Sequence, residues 1–394
     1  MNKSNKAMFT IFLVVFIDLF GFGLILPLLP YIAETFHATP AQIGLLIATY
    51  SLFQFFSSPI LGRLSDRFGR KKLLIISQIG SVFGYILLGL AHTLPLLFLA
   101  RLIDGITGGN ISIAQAYVAD ITSKKNRAKG MGVLGAAFGL GFILGPAIGG
   151  LLSKISYSTP AFFAAGIGLM TVFTTIFFLK ETVNTSVTQT SPKTRLSLTG
   201  LLKLFRTQPL GILIIGFFLI NFAFSSLQAT FALWTEHSFG YGPTQNGYFF
   251  ALIGIIAIIT QLKILPFLLK KSSETKLLKT GVFILSCGLL LLSLAVHPIF
   301  IIPALACNAF GQGLTGPTIQ SLASESVPPE EYGETLGLFQ SFAGLGRIFG
   351  PIIGGELFTR FQPETPFLIS GLIVLGVFLL FSKQLTASPQ PSAS

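Results

Sequence analysis

The stretch GRLSDRFGRKK, residues 62–72, sets five cations and one acid, Asp66, in eleven positions of a 394-residue chain in which only 10% of residues are charged. Apolar runs flank it on both sides. Charge concentrated between apolar segments marks a loop held on one side of a bilayer. Composition agrees: with 52% hydrophobic residues, 40 Phe and a mean hydropathy of +0.77, the chain has more apolar surface than a soluble core can bury. The lipid bilayer is therefore a partner. Nucleic acid is not, although the net charge is +12, because the basic residues fall in short clusters between apolar runs rather than along one face.

A bilayer core about 30 Å thick takes about 20 apolar residues per helix. Twelve runs meet that length: residues 8–33, 41–62, 72–92, 95–118, 130–152, 160–179, 209–234, 245–268, 277–296, 298–322, 334–357 and 364–382. The first run follows MNKSNKA without a small-residue cleavage site and carries Asp18, so it is expected to stay as a helix rather than leave as a signal peptide. Alternating loops gather 21 of the 26 Lys and Arg on one side: Lys3, Lys6, the cations of 63–72, 124–129, 180–206 and 270–279, and Lys383. The positive-inside rule makes that side, with both termini, cytoplasmic. The opposite loops hold Lys154, Arg360 and all four histidines, His37, His92, His237 and His297, whose spacing suits no metal. Neither a metal nor a cofactor is expected. Cys287 and Cys307 lie inside apolar runs and read as buried, inert thiols, and Trp234, at the end of the seventh run, reads as an interfacial anchor.

Residues 183–206 are polar and divide the chain into bundles 1–182 and 207–383, with a disordered tail at 384–394. The bundles resemble each other. An offset of 205 residues pairs Gly108 with Gly313, Gln115 with Gln320, Gly141 with Gly346, and GPAIGG at 145–150 with GPIIGG at 350–355. A parallel six-plus-six repeat is the plan of one large transporter class, in which two bundles rock about a site at mid-membrane. The fold expected is all-α, with twelve transmembrane helices in two pseudo-symmetric six-helix bundles.

Gly62, Leu64, Asp66, Gly69, Arg70 and Lys71 match the pattern G-x-L-x-D-x-x-G-[RK]-[RK], which resembles the loop between helices 2 and 3 of the major facilitator superfamily. Arg101 with Gly105 resembles its helix-4 motif, and GFILGPAIGG at 141–150 resembles the helix-5 motif of its drug/proton antiporters. With DLFGFGLILPLLP at 18–30, the whole chain is most similar to the bacterial tetracycline-efflux branch. The resemblance implies a monomeric, proton-coupled exporter of small amphipathic compounds in the bacterial inner membrane, with a small-molecule substrate and protons as its partners and no enzymatic activity. Import of a nutrient, metabolite or siderophore on the same fold is the alternative, and a transport-inactive sensor is a third. It further implies a latch: Asp66 against the start of helix 11 around 333–336, and Arg70 reaching Asp120, with Gly62, Arg67, Gly69 and Lys71 shaping the turn. The bland alternative is that these cations only hold the loop inside.

Charges at membrane depth carry the sharper signal, because a central Asp or Arg costs roughly 2.5–3.5 kcal/mol and so faces a cavity or a partner. Asp18, Arg101, Asp104 and Arg347 are such residues. Arg101 and Asp104 share a helix face and form either a self-neutralising pair or, with Asp18, a proton-coupling group. Arg347 serves either an anionic substrate group or backbone carbonyls. Asn110, Gln115, Asn221, Gln228, Gln261, Asn308, Gln312 and Gln340 are candidates to line a substrate cavity, and Asn221 aligns with Asp18 in the repeat. Gly141, Gly145, Pro146, Gly149, Gly150, Gly350, Pro351, Gly354 and Gly355 read as helix-packing positions. The tetracycline exporters carry acids in helices 3 and 9, where this chain has Gly84 and Ser286, and a helix-8 His where it has Ala257. Those departures count against a metal-chelated tetracycline as substrate.

Overall fold

A computed structural model describes residues 3–122, 127–183, 209–327 and 332–385. Most of the linker at 183–206 and nearly all of the tail lie outside these. The described residues are helical with no strand, and twelve helices are long and apolar enough to cross a membrane. They are α1 Ala7–Ile25, α2 Pro40–Phe68, α3 Arg70–Gly89, α4 Leu94–Ile121, α5 Gly130–Leu152, α6 Thr159–Phe178, α7 Leu210–Phe239, α8 Pro243–Leu269, α9 Glu274–Ser293, α10 Pro298–Glu325, α11 Thr335–Arg360 and α12 Thr365–Gln384. Helix is the form that satisfies every backbone group within one segment, which lipid demands. Proline opens several of them, Pro40, Pro95, Pro160, Pro298 and Pro366, where its missing N–H costs nothing. Thr39 and Gln42 cap α2 reciprocally, at 3.3 and 2.8 Å.

Three helices depart from the uninterrupted runs expected. The first run ends early: α1 stops at Ile25, a turn holds Pro27, and a short helix Leu29–Glu34 follows. α4 breaks at Gly108 and Gly109 into Leu94–Thr107 and Asn110–Ile121. α8 passes through one wide turn, Thr260–Ile264, just ahead of Pro266, which cannot donate to the ladder. Trp234 also differs from its interfacial reading. It is 0% exposed, one turn inside α7, where Phe367 meets it edge-on and its Nε1 donates to Glu364 Oε1 at 3.2 Å. Cys287 is exposed and Cys307 half-buried, so the expectation of two buried thiols fails. The four histidines are exposed.

The chain forms two compact units, Met1–Ser191 with Thr235–Ala251, and Pro192–Trp234 with Leu252–Ser394. In the first, α5 lies directly on α1. A Cβ on Gly141 would stand 2.8 Å from Leu19, one on Gly145 2.8 Å from Phe20 O, and one on Gly149 2.6 Å from Leu24 O, so backbone touches backbone along three turns. In the second unit α11 meets α7 in the same way, with Gly346 and Gly350 against Phe222 and Gly354 against Ser226. Phe222 stands to Gly346 and Gly350 as Phe20 stands to Gly141 and Gly145. That sets Asn221 opposite Leu19 rather than Asp18, one residue from the alignment read off the sequence.

Gly145→Val is expected to lower the apparent thermal unfolding midpoint of the purified protein, at a cost of about 1–3 kcal/mol, because a side chain there has backbone on both sides. Gly135→Ala, where a Cβ meets nothing within 4 Å, should leave the midpoint unchanged.

Candidate functional site

The α4 break and three of the four membrane-depth charges, Asp18, Arg101 and Asp104, lie within the first unit. α3 presents Gln78, Ser81 and Tyr85 on one face, a stripe at helical spacing. Facing it are Asp18 of α1, Asn110 at the restart of α4, and Thr171 of α6; together with Val14, Ile17, Val82, Ala164 and Gly168 these line a cavity of about 20 Å3. Asn110 Nδ2 donates to Asp18 Oδ1 at 2.7 Å. Asn110 is only 1% exposed. Among the described residues Asp18 forms no ion pair, so its partner is a neutral amide 92 positions away in sequence.

Arg101 and Asp104 lie alongside, each 3% exposed, joined by Nη1 to Oδ2 at 3.1 Å. The Arg101 guanidinium lies 4.6 Å above the Tyr50 ring, a cation–π contact. Asp104 fits because α3 carries glycine opposite it: a Cβ on Gly84 would be 2.9 Å from Asp104 Cβ. The α4 break is kept satisfied by α2 and α3. Gln54 Nε2 donates to Gly108 O at 3.0 Å, Ser57 Oγ to Gly105 O at 2.9 Å, and Ser77 Oγ to Thr107 O. Backbone freed at membrane depth is thus turned into protein.

The loop that opens the chain's story is ordered around Arg70. Its guanidinium meets Asp66 at 2.5 Å, Asp120 at 3.1 Å and Ser65 Oγ at 2.6 Å. Gly69 has φ +102°, a conformation that lets α2 turn directly into α3 and that a side chain would strain. Glu181, just past α6, takes the place of an N-cap residue: it accepts from Arg70 N at 2.8 Å and Lys71 N at 3.2 Å, at the positive start of α3. Thr182 Oγ1 donates to Asp120 at 3.0 Å. Glu181 and Thr182 were not singled out in the sequence; an acid directly after an apolar run was the available signal. Gly62 has open space around it, and Arg67 lies over Phe68, 5.2 Å from its ring. Of the region 333–336, the side chains of 333 and 334 lie outside the described residues.

Other candidates stay apart from this cluster. Gln115, Gln261 and Gln340 are exposed, and Gln228, Gln312 and Arg347 are half-buried. Asn221 Nδ2 donates to Phe217 O at 2.8 Å, and Asn308, 1% exposed, donates to Ala304 O at 3.0 Å while filling the space left by Gly288. Both close on their own helices. Gln78, Ser81, Tyr85 and Thr171 were missed, although the polar stripe in the third run was visible.

A second acidic group lies at the other end of the unit. Tyr31, Thr235 and Asn246 form a buried knot in which Asn246 Nδ2 donates to Tyr31 Oη at 2.5 Å and Thr235 Oγ1 to Asn246 Oδ1 at 3.0 Å. One turn outward, the carboxyls of Glu34 and Glu236 are hydrogen-bonded to each other. Partial loss of water pushes Glu34 up to about 7, and the bond to Glu236 and its charge add to that shift.

This arrangement, ionisable groups held inside a bundle of a twelve-helix membrane protein with a six-plus-six repeat, is that of a secondary transporter. The family model of the Major Facilitator Superfamily matches residues 11–348 and again 278–394, and the chain belongs to that superfamily. It is 32% identical over 402 residues to the "Tetracycline resistance protein, class B" of Escherichia coli, covering 100% of this chain and 98% of that one. It is 30% identical over 385 residues to the "Multidrug resistance protein 2" of Bacillus subtilis (strain 168), covering 95% of each. Its fold matches the human organic anion transporter MFSD10 (TETRAN) with a TM-score of 0.73 at 24% identity, over 97% of this chain and 100% of that one. The chain is a multi-pass membrane transporter and not an enzyme.

Because Glu34 holds its proton more tightly folded than unfolded, its contribution to stability is fully present below the ordinary value of 4.5 and is lost as pH rises through about 7. Across that window the thermal midpoint of the wild type is expected to fall relative to Glu34→Gln, whose side chain stays neutral. Parallel curves for the two proteins would remove Glu34 from the pH response.

Proposed function

We propose that this protein is a proton-coupled exporter of small amphipathic compounds, working by alternating access in a bacterial inner membrane with both termini in the cytoplasm. The observation that carries this reading is Asp18, a carboxyl at membrane depth whose partner is an amide rather than a cation. Such a group can exchange a proton whenever water reaches it, whereas a carboxyl paired with a guanidinium takes up a proton less readily and gives it up sooner. Asp104 is of the second kind, so Arg101 and Asp104 modulate and Asp18 couples. The similarity to resistance proteins for tetracycline and for multiple drugs supports export as the direction. Polar residues outside the Asp18 cluster, including Gln115, Gln228, Gln261, Gln312 and Gln340, are the candidates to meet substrate. Arg70, Asp66 and Asp120 serve as the latch of one conformational state, with Glu181 fixing the start of α3 beneath them.

The test is transport in proteoliposomes under an imposed pH gradient, with a panel of amphipathic compounds screened by counterflow. Asp18→Asn should abolish accumulation against a gradient and retain downhill exchange. Arg101→Ala should impair both modes, since it strands Asp104 without its partner. An unchanged proton-to-substrate ratio in Asp18→Asn would take this residue out of the coupling.

A further inference from the structure

The cavity beside Asp18 is small, and several polar side chains reach into it between apolar ones. Its volume of about 20 Å3 suffices for one water molecule, which needs roughly 10–15 Å3 by the same measure and two to four polar partners. Those partners are present. Gln78, 4% exposed, has neither its Nε2 nor its Oε1 hydrogen-bonded to protein, and Asn110 Oδ1 is likewise without a partner while its Nδ2 is spent on Asp18. One orphan is a donor and two are acceptors. A metal cation would satisfy only the acceptors, and an apolar guest none, whereas a water molecule both accepts from Gln78 Nε2 and donates to the oxygens. Leaving such groups unmet at this depth is costly, because neither lipid nor the apolar lining can replace their hydrogen bonds to water.

Resting on the proton-coupled reading above, we propose that Gln78 and Asn110 hold a structural water between Asp18 and Ser81, and that this water joins Asp18 to Asp104 as one proton-exchanging unit. Ser81 lines the cavity and stands one turn before Gly84, which packs directly on Asp104, so its hydroxyl can turn to donate to that carboxylate while its oxygen accepts from the water. In the transfer, protonated Asp18 gives its proton to the water oxygen, the water passes one of its own to Ser81 Oγ, and Ser81 releases its hydroxyl proton to Asp104. Each bridging group ends with the protons it began with, and one proton has moved from α1 to α4. The ionisable groups packed around this path are Asp18 from α1, Tyr50 from α2, Tyr85 from α3, and Arg101 and Asp104 from α4; α6 contributes only Thr171. Arg101 is thereby the group that receives the charge change at the far end. Gln78 is a positioning residue, acting through the water.

Infrared difference spectra of the lipid-reconstituted protein, taken between acidic and alkaline buffer in ordinary and in 18O-labelled water, test the water directly. The wild type should show an O–H stretching band that shifts with the label, Gln78→Met should lose it, and Gln362→Met, in the loop after α11, should keep it. The relay is tested separately. Gln78→Met and Ser81→Ala should each lower proton-driven accumulation by on the order of tenfold while downhill exchange changes little, since both acids remain in place. Ser81→Ala keeps the labelled band and so serves where Gln78→Met fails to fold. Absence of the band in the wild type, or its survival in Gln78→Met, would overturn the water site. Undiminished accumulation in Ser81→Ala would overturn the relay. If the wild type moved no protons at all, coupling would fail as a function while the spectra still decided the water.

Discussion

Hydrocarbon offers no hydrogen bonds, and the interior of this protein is arranged by the need to replace them. The Gly108 and Gly109 break in α4 makes the point. Ending a helix at membrane depth releases carbonyls, and three side chains from two neighbouring helices, Gln54, Ser57 and Ser77, take up the oxygens of Gly108, Gly105 and Thr107. Those contacts fix α2, α3 and α4 against one another. They also set Asn110 at the head of the restarted helix, where its amide reaches Asp18. The Asp18–Asn110 contact is thus a consequence of how the break is satisfied, and a change at Gln54 or Ser77 would act on Asp18 without touching it.

The twelve helices were legible because a membrane span is a local property: length and apolar content decide it, and those stand in consecutive residues. The departures are local as well. Pro27 and Pro266 are visible in the sequence, and each marks a place where a run reads as continuous but the ladder of hydrogen bonds is not. What sequence could not supply is which polar residues meet. Asp18 and Asn110 are 92 positions apart, and Gln78 and Ser81 come from a third helix whose stripe looks no different from an ordinary interhelical contact. Asn221 and Asn308 show the converse, since both carry polarity at depth yet spend it on carbonyls of their own helices. The alignment of Asn221 with Asp18 fails for a related reason: the repeat is carried by glycines of α5 and α11, and their contacts on α1 and α7 lie one residue off the apparent match.

The charged loop after α2 shows how much work a single turn can concentrate. Arg70 alone bonds Asp66, Asp120 and Ser65, which ties the ends of α2, α3 and α4, and Glu181 draws in the end of α6 by accepting from the first amides of α3. An order-independent cluster of cations would hold the loop on its side equally well. It would not need an acid at 66, an acid at 120, and glycine at the one position where φ reaches +102°. The geometry within this unit therefore gives the motif a mechanical role whether or not Asp66 also meets another element.

Gly84 and Asp104 show how one small residue decides which helix carries a buried carboxyl. Resemblance to the tetracycline exporters implies an acid on the third helix where this chain has Gly84. Here the space above Gly84 is occupied by Asp104, whose Cβ lies 2.9 Å from the point a Cβ on Gly84 would take. Two side chains cannot share that point, so a carboxyl is offered from α3 or from α4, but not from both. Offering it from α4 places it three residues from Arg101, on the same helix face, where it is paired from the outset. A carboxyl carried by α3 would instead stand across from Arg101, so that the pair would tie two helices together rather than close on one.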